Sequence, residues 1–215
     1  FPHEHFIKVE MDIKTKPKGD ANYFKSILER FDISEDEITM RKIKIPESDK
    51  QNALKKAKEI NLNLNNFIFI SPEARSCELI EPSYWDNLID EYHSKGMDVF
   101  VNLADDSVKL NAKNYKTCPL TYSEVFTIAS FSKKIIALRS GLCELMLQTG
   151  VEMQVIYRRF KLRHILRDMD KEDVMRGFGL DKIPDFKNIS DTKILQENNQ
   201  DELIVVKNLK GHSGC

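Results

Sequence analysis

Short apolar runs alternate with amphipathic stretches along the middle of the chain. The apolar runs are rich in β-branched and aromatic residues, as buried strands are, and they cover FIFIS (67–71), MDVFVNL (97–103), KIIALR (134–139) and MQVIYR (153–158). The stretches between them have the apolar spacing of helices and cover 81–96, 120–132 and 140–148. This alternation predicts repeated strand–helix–strand units.

Strands that are joined by crossover helices run parallel and are covered by helices on both faces of their sheet. The runs at 67–70 and 134–138 are apolar at nearly every position, as burial on two faces requires. A weaker extended piece near 114–118 supplies the third strand. We therefore predict the fold class α/β, a Rossmann-like parallel sheet of order 3-2-1-4-5 with 67–71 as strand 1 and 134–139 as strand 4.

Two flanking segments frame this core. The first carries helical patterns and precedes the first strand, and the second mixes charge with helix and contains one further apolar run, LIVV. The chain begins at Phe1 rather than at methionine, so we expect it to be a fragment or a processed piece of a longer protein. The predicted division is a helical lead-in over 1–62, a Rossmann-like core over 63–158, and a C-terminal extension packed on that core over 159–215.

Composition and charge are those of an ordinary globular protein and do not alter the predicted fold class. The chain has 215 residues with 41% hydrophobic content, enough to bury a core of its own. Its 33 basic and 34 acidic residues leave a formal charge of -1. A surface so nearly neutral creates no field that would gather nucleic acid, and we expect no nucleic-acid partner.

The cysteines and the apolar runs indicate the compartment. The cysteines are widely spaced, with no CxxC pair and no histidine at ligand spacing, so we expect free thiols in a reducing cytoplasm and no metal site. They are Cys77, Cys118, Cys143 and Cys215. No run is long enough to span a bilayer and no signal sequence is apparent, which predicts a cytoplasmic protein. The basic series over 158–167 is interpreted as a solvated face, with peripheral contact to the inner membrane as the alternative.

The predicted strand order places a crevice between strands 1 and 4 at their carboxyl ends, where such sheets bind ligands. The loops at 71–76 and 139–143 should meet there. A helix that starts at Ser140 or Gly141 points unpaired amides into the crevice, and Arg75 and Arg139 carry groups that fork onto phosphate oxygens. This pattern favours a diphosphate ligand. In the alternative, Ser140 is only the N-cap of its helix and Arg139 a solvated strand end.

Several motifs in order along the chain resemble one family. They are an ISPEA segment, a helix with Trp85, the strand and loop VFVNLADD, and the stretch PLTYSEVFTIASFSKKIIALRSGL. Together they resemble the carboxyl-terminal, nucleotide-sugar-binding half of GT-B glycosyltransferases, most closely the ADP-heptose heptosyltransferase family, family 9. Arg139 stands where that family has the aspartate of its DSG turn, and Glu144 stands where it has a histidine. The RSGL turn is similar to a branch of bacterial capsule and surface-polysaccharide proteins.

The resemblance implies that the loop after strand 1 and the Ser140–Gly141 turn hold the diphosphate of a nucleotide sugar, and that the segment around 120–124 lies near the base or ribose. The residues it implies in binding are Ser71, Glu73, Arg75, Thr121, Arg139, Ser140, Gly141, Leu142 and Glu144. Glu144 and Glu152 also have the spacing of the E-x7-E pair of other GT-B transferases, in which one carboxylate binds ribose hydroxyls. From the residues alone, Glu73 is either a carboxylate near the reacting sugar or a solvated loop residue.

We therefore predict the donor-binding half of a glycosyltransferase that moves a sugar from a nucleoside-diphosphate sugar to a surface glycan or lipid-linked acceptor. The nucleotide sugar is a substrate and no cofactor is expected. Catalytic residues are not assigned, because the resemblance implies that the acceptor and the general base belong mainly to the missing N-terminal domain. The alternatives are a non-catalytic nucleotide-binding or interaction module of the same fold and an epimerase-like enzyme that acts on sugar nucleotides.

Overall fold

The computed structural model describes a core of strands and helices and parts of the flanking segments. The described residues are Asp32, Ser34, 43–75, 77–104, 107–158, 179–180, 192–197 and 201–206. The lead-in helix predicted near 20–31 and most of the predicted extension over 159–215 lie outside them, as do Cys215 and the basic series beyond Arg158.

The described elements follow the predicted alternation of strands and helices. The helices are α1 (Glu47–Glu59), α2 (Pro82–Ser94), α3 (Tyr122–Phe131) and α4 (Gly141–Leu147). The strands are β1 (Phe67–Ser71), β2 (Asp98–Val101), β3 (Lys134–Leu138), β4 (Met153–Ile156), β5 (Thr192–Glu197) and β6 (Asp201–Val206).

The sheet has the order β2-β1-β3-β4-β6-β5 in the described part of the chain. Its first four strands are all parallel, with Phe69 of β1 opposite Phe100 of β2 on one side and Ile135 of β3 on the other. The predicted α/β class and its parallel sheet are therefore confirmed.

The strand order differs from the prediction in one detail at each edge. The strand predicted near 114–118 is only a single parallel bridge between Lys116 and Phe100, because this polar segment has no apolar run to bury. At the other edge β6 pairs antiparallel with β4, and β5 pairs antiparallel with β6. The LIVV run lies in β6 and so joins the sheet itself, whereas β5 was not predicted.

Two hydrophobic cores cover the two faces of the sheet. Phe67 and Phe69 point to the face covered by α1, α3 and α4, and Ile68 and Ile70 point to the face covered by α2. Trp85 of α2 is fully buried in the second core. Burial on both faces explains why β1 and β3 lack the polar alternation of a strand with one wet face.

A substitution at Ile136 tests the assignment of the second core. Ile136 lies at the centre of β3 with no exposed surface, and it pairs with Ile70 across the sheet. We expect Ile136→Ala to lower the free energy of unfolding by about 2–5 kcal/mol, because it removes buried methyl groups and leaves a cavity. Urea denaturation measures the change. The control is Tyr122→Ala, at an aromatic residue that is 76% exposed, and an equal loss in both variants would contradict the assignment of the core.

Candidate ligand-binding crevice

The candidate crevice is defined by the loops that follow β1 and β3. The two strands are parallel neighbours, with Ser71 at the end of β1 opposite Ala137 of β3, so the loops that follow them leave the sheet at the same edge. From β1 the chain crosses to β2 on one side, and from β2 it returns across β1 to β3 on the other. This is the reversal of winding at which open α/β sheets bind ligands.

Contacts with two neighbouring segments hold the loop after β1 in place. The Glu73 carboxylate accepts hydrogen bonds from the Ala104 amide and, at 3.2 Å, from the Ser107 hydroxyl, which ties the loop to the segment after β2. Further along, the Cys77 thiol donates to the Arg139 carbonyl at 3.5 Å. The Glu73 carboxylate is partly exposed and is engaged by the segment after β2, so it anchors the loop.

Arg75 lies between these anchors and is exposed. Beyond it, Glu78 forms an ion pair with Arg158 after β4, with 3.9 Å between Oε2 and Nη2. No acceptor within the described residues binds the Arg75 guanidinium. Ser71, at the end of β1, is buried and so is less accessible than Arg75. The loop thus presents a solvated cation from a backbone that is fixed on both sides.

The turn after β3 is held together by its own charges. Arg139 is buried, and its guanidinium makes a bidentate ion pair with Glu144, with Nη1 at 3.0 Å from Oε2 and Nη2 at 2.6 Å from Oε1. Burial opposes the charged form of Arg139, but the hydrogen bond and the charge of Glu144 outweigh it and raise its pKa. Two of the charged residues predicted to contact a ligand, Arg139 and Glu144, are therefore bound to each other.

Ser140, Gly141 and Leu142 form the open part of this turn. Ser140 precedes α4 but its side chain does not cap the helix, and its hydroxyl instead lies 4.0 Å from the Cys143 sulfur. Gly141 is exposed and a Cβ atom there would meet nothing within 4 Å, whereas Leu142 packs partly against the first core. The amides of Gly141 and Leu142 donate to no acceptor among the described residues, as is usual at a helix start.

The two thiols near the turn, Cys77 and Cys143, are buried. Burial raises the pKa of Cys77 to about 12 and also raises the pKa of Cys143. A thiol reacts as its thiolate, so burial lowers the reactivity of both groups. Their role in the described structure is to donate to backbone carbonyls, Cys143 to that of Leu138 at 3.5 Å.

Thr121 lies before α3, where its described hydrogen bonds serve the helix. Its hydroxyl accepts from the Glu124 amide at 3.4 Å and its own amide donates to the Glu124 carboxylate at 2.7 Å, which is a capping box. Glu124 is buried and also pairs with Lys56 of α1 at 2.8 Å. The T-x-x-E spacing is a sequence signal for this network, which the sequence analysis missed. The described contacts do not join Thr121 to the two crevice loops.

The second carboxylate of the E-x7-E spacing lies at the other end of the sheet. Glu152 precedes β4, its carbonyl accepts from the Ile135 amide, and its carboxylate pairs with Lys134 at 3.6 Å. Glu144 follows β3, so the two carboxylates are at opposite edges and do not form one site. Their spacing in the sequence is a coincidence.

Neither a metal site nor a membrane span is found in the part of the chain that the structure describes. No three histidine, cysteine, aspartate or glutamate side chains of this part are placed to hold a metal ion together. None of its helices has the length and apolar character needed to cross a membrane.

The fold is similar to that of a glycosyltransferase. The chain superimposes on the crystal structure of the glycosyl transferase family 9 from Veillonella parvula DSM 2008 with a TM-score of 0.51 and 12% sequence identity. The match covers 62% of this chain and 42% of that one, so the chain spans less than half of the length of that protein. No family model and no curated protein sequence matches the chain. At this identity the likeness shows the fold alone, an α/β Rossmann-like fold of the kind found in glycosyltransferases.

The contacts of Glu124 with Thr121 and Lys56 should stabilise the fold in a pH-dependent way. Burial would raise the pKa of Glu124, but hydrogen bonds from Lys56 and the Thr121 amide outweigh it and lower the pKa below the ordinary 4.5. We expect Glu124→Gln to reduce the free energy of unfolding by about 1–3 kcal/mol at neutral pH, because Lys56 then loses its counter-ion.

This cost depends on pH with a definite sign. A depressed pKa in the folded state contributes stability above the unfolded pKa, and this stability is lost as pH falls through the folded pKa. The difference between the wild type and Glu124→Gln should therefore shrink below the ordinary value of 4.5 in urea denaturation at stepwise lower pH. Glu59→Gln, at a carboxylate that is 60% exposed and 3.9 Å from Lys55, serves as the control. A cost for Glu124→Gln that stays constant with pH would contradict the assignment.

Proposed function

We propose that this chain is the donor-binding half of a glycosyltransferase and that the crevice binds the diphosphate of a nucleotide sugar. One observation carries the proposal. The loop with the exposed Arg75 and the turn with the open Gly141 lie at the carboxyl ends of two adjacent parallel strands, where the winding of the sheet reverses. The resemblance of the ISPEA and RSGL motifs to nucleotide-sugar-binding domains supports the same location, and the fold likeness to a family 9 protein is consistent with it.

The chemistry of these groups suits a leaving diphosphate. In transfer from a nucleotide sugar, the bond between the anomeric carbon and the diphosphate oxygen breaks and negative charge develops on that oxygen. An arginine and backbone amides close to this oxygen stabilise the charge. Arg75 supplies the cation, and the amides of Gly141 and Leu142 supply the uncharged donors. The general base and the acceptor site are proposed to belong to the N-terminal domain of the full-length protein.

The proposed acceptor is a surface glycan or a lipid-linked precursor of one. This part of the proposal rests on the similarity of the RSGL turn to bacterial capsule and surface-polysaccharide proteins. The sugar is not specified, because Arg139 and Glu144 replace the aspartate and histidine of the heptosyltransferase turn. A place in bacterial polysaccharide biosynthesis, in the cytoplasm or at the inner membrane face, follows from the same similarity.

A non-catalytic nucleotide-binding module is the second candidate, and one observation favours it. The carboxylates of the described crevice are all engaged within the protein: Glu73 by the segment after β2, Glu78 by Arg158 and Glu144 by Arg139. None of them is placed as a base without giving up a partner. A binder and a transferase differ in turnover, so release of nucleotide from the donor by the full-length protein in the presence of acceptor separates them.

Binding of nucleoside diphosphates tests the proposal directly. We expect calorimetric titration of the 215-residue chain with UDP, GDP, ADP and CDP to show saturable binding of at least one of them, with one site per chain. Inorganic sulfate at the same ionic strength is the control for non-specific anion binding. Heats that are the same for sulfate and for all four nucleotides would leave the crevice without its proposed ligand.

Two substitutions at the crevice sharpen this test. Arg75→Gln removes the exposed cation. We expect about a tenfold or greater loss of diphosphate affinity, because this is the usual contribution of a charge-assisted hydrogen bond. Its melting temperature should not change, because no described group depends on the Arg75 charge. Lys133→Gln, at an exposed cation whose amide binds the Phe67 carbonyl at the opposite edge, is the matched control. Equal affinities of the two variants would contradict the role of Arg75.

Gly141→Ala tests the contribution of the turn after β3. Its methyl group meets no protein atom within 4 Å, so we expect wild-type stability. A diphosphate that contacts the backbone there would collide with the methyl group, so we also expect weaker binding in the same titration. Unchanged affinity in this variant would move the ligand away from the turn.

A further inference from the structure

The two edge strands of the described sheet, β2 and β5, differ in what lies beside them. Beside β2, the Lys116 amide donates to the Val99 carbonyl at 2.8 Å and the Val101 amide donates to the Lys116 carbonyl at 2.9 Å. β5 pairs with β6 on its inner side, and no described segment pairs with its outer side. Within the described part of the chain, β5 is therefore the open edge of the sheet.

An open edge is a template for a further strand, because its outward amide and carbonyl groups can complete another ladder of hydrogen bonds. The sequence of β5 carries Ile194 and Leu195 at its centre, with Lys193 and Glu197 on either side of Leu195. A lysine on an edge strand usually discourages pairing with another chain. Whether it does so here depends on which residue of a partner strand stands opposite position 193.

The symmetry of a dimer limits the possible pairings of β5 with a second copy of itself. Two identical strands pair antiparallel around a two-fold axis. Residues directly opposite each other in such a ladder lie on the same face of the sheet, so the axis must place one residue opposite its own copy. An axis at Ile194 or at Leu195 pairs the greatest length of Thr192–Glu197, and any other axis pairs less of it.

The charged positions distinguish these two registers. With the axis at Leu195, position 193 stands opposite Glu197 of the second copy, and the symmetry repeats this lysine–glutamate pair at the other end. With the axis at Ile194, Lys193 stands opposite a leucine and Glu197 has no opposite residue in the strand. Opposite charges at directly opposed positions stabilise an antiparallel pair, so the first register is favoured. In it, the lysine that would otherwise discourage pairing contributes to it.

We infer that two copies of the chain pair through β5, antiparallel and with the two-fold axis at Leu195, so that their sheets join into one continuous sheet. The candidate crevice lies between β1 and β3, and β4 and β6 separate it from β5 in the strand order. A second copy at β5 therefore leaves the crevice of each copy open. The inference is independent of the proposed function, which concerns the other part of the sheet.

Charge reversals at the two ends of the pairing test it. We expect sedimentation equilibrium of the 215-residue chain to show a reversible dimer with a micromolar dissociation constant, because a pair of edge strands is a small interface. Lys193→Glu and Glu197→Lys each place like charges opposite each other at both ends, so each should weaken dimerisation about tenfold or more. Lys55→Glu changes the net charge as much as Lys193→Glu does, at an exposed ion pair on α1, and should dimerise like the wild type.

An equimolar mixture of Lys193→Glu and Glu197→Lys separates pairing from damage to the fold. In a mixed dimer a glutamate again stands opposite a lysine at both ends, so the mixture should dimerise with about the affinity of the wild type. The chains in the mixture are the same as in the separate samples, so a fold that either substitution had damaged would not recover. A chain that carries both reversals should dimerise with itself for the same reason.

The results that would overturn the inference are specific. A wild-type chain that stays monomeric at about 1 mM protein would exclude the dimer. A dimer that both single reversals leave intact would be held by another surface. Weakened dimers without recovery in the mixture would exclude the axis at Leu195. If a single variant does not fold, as circular dichroism would show, the chain with both reversals decides between recovery, which supports the register, and loss, which overturns it.

Discussion

The parallel pairing of β1 with β3 is the constraint on which the crevice depends. With Ser71 opposite Ala137, the two strands end at the same level and their loops leave the sheet together. The pairing also buries both strands on two faces, under α1, α3 and α4 on one side and α2 on the other. Burial thus provides the rigidity of the sheet, and the reversal of winding provides an opening at its edge. A loop that binds a ligand benefits from such a base because little of it must be ordered on binding.

Charges at this edge are mostly paired within the protein. Glu73 binds the segment after β2, Glu78 pairs with Arg158 after β4, and Arg139 pairs with Glu144 inside its own turn. Each contact joins two neighbouring segments or closes one, so the charges hold the rim of the sheet together. The exposed Arg75 stands out against this background. Within the described residues of this edge, Arg75 is the exposed cation that no carboxylate engages.

The position of the candidate site and its individual contacts depend on different kinds of sequence signal. The apolar runs FIFIS and KIIAL identified two buried strands, and the rule for open α/β sheets then identified their carboxyl ends as the crevice. Arg75 and Arg139 had the same appearance in the sequence, each a basic residue after a strand. Only the structure separates them, since Glu144 lies one helical turn into α4 and within reach of one guanidinium but not the other. The E-x7-E spacing failed for a similar reason, because Glu152 is carried to the opposite edge by the length of α4.

The sequence by itself determined the α/β class, the parallel core and the approximate bounds of its elements. These properties depend on apolar periodicity and burial, which are local and can be read over a few residues. The tertiary structure alone decided which charges are paired, that the segment near 114–118 makes one bridge instead of a strand, and that β6 and β5 extend the sheet antiparallel to β4. The Arg139–Glu144 pair is local and depends on where α4 begins. The partners of Glu73, Glu78 and the strand edges, in contrast, are distant in the chain and adjacent in space. Local pattern carries no information about that adjacency.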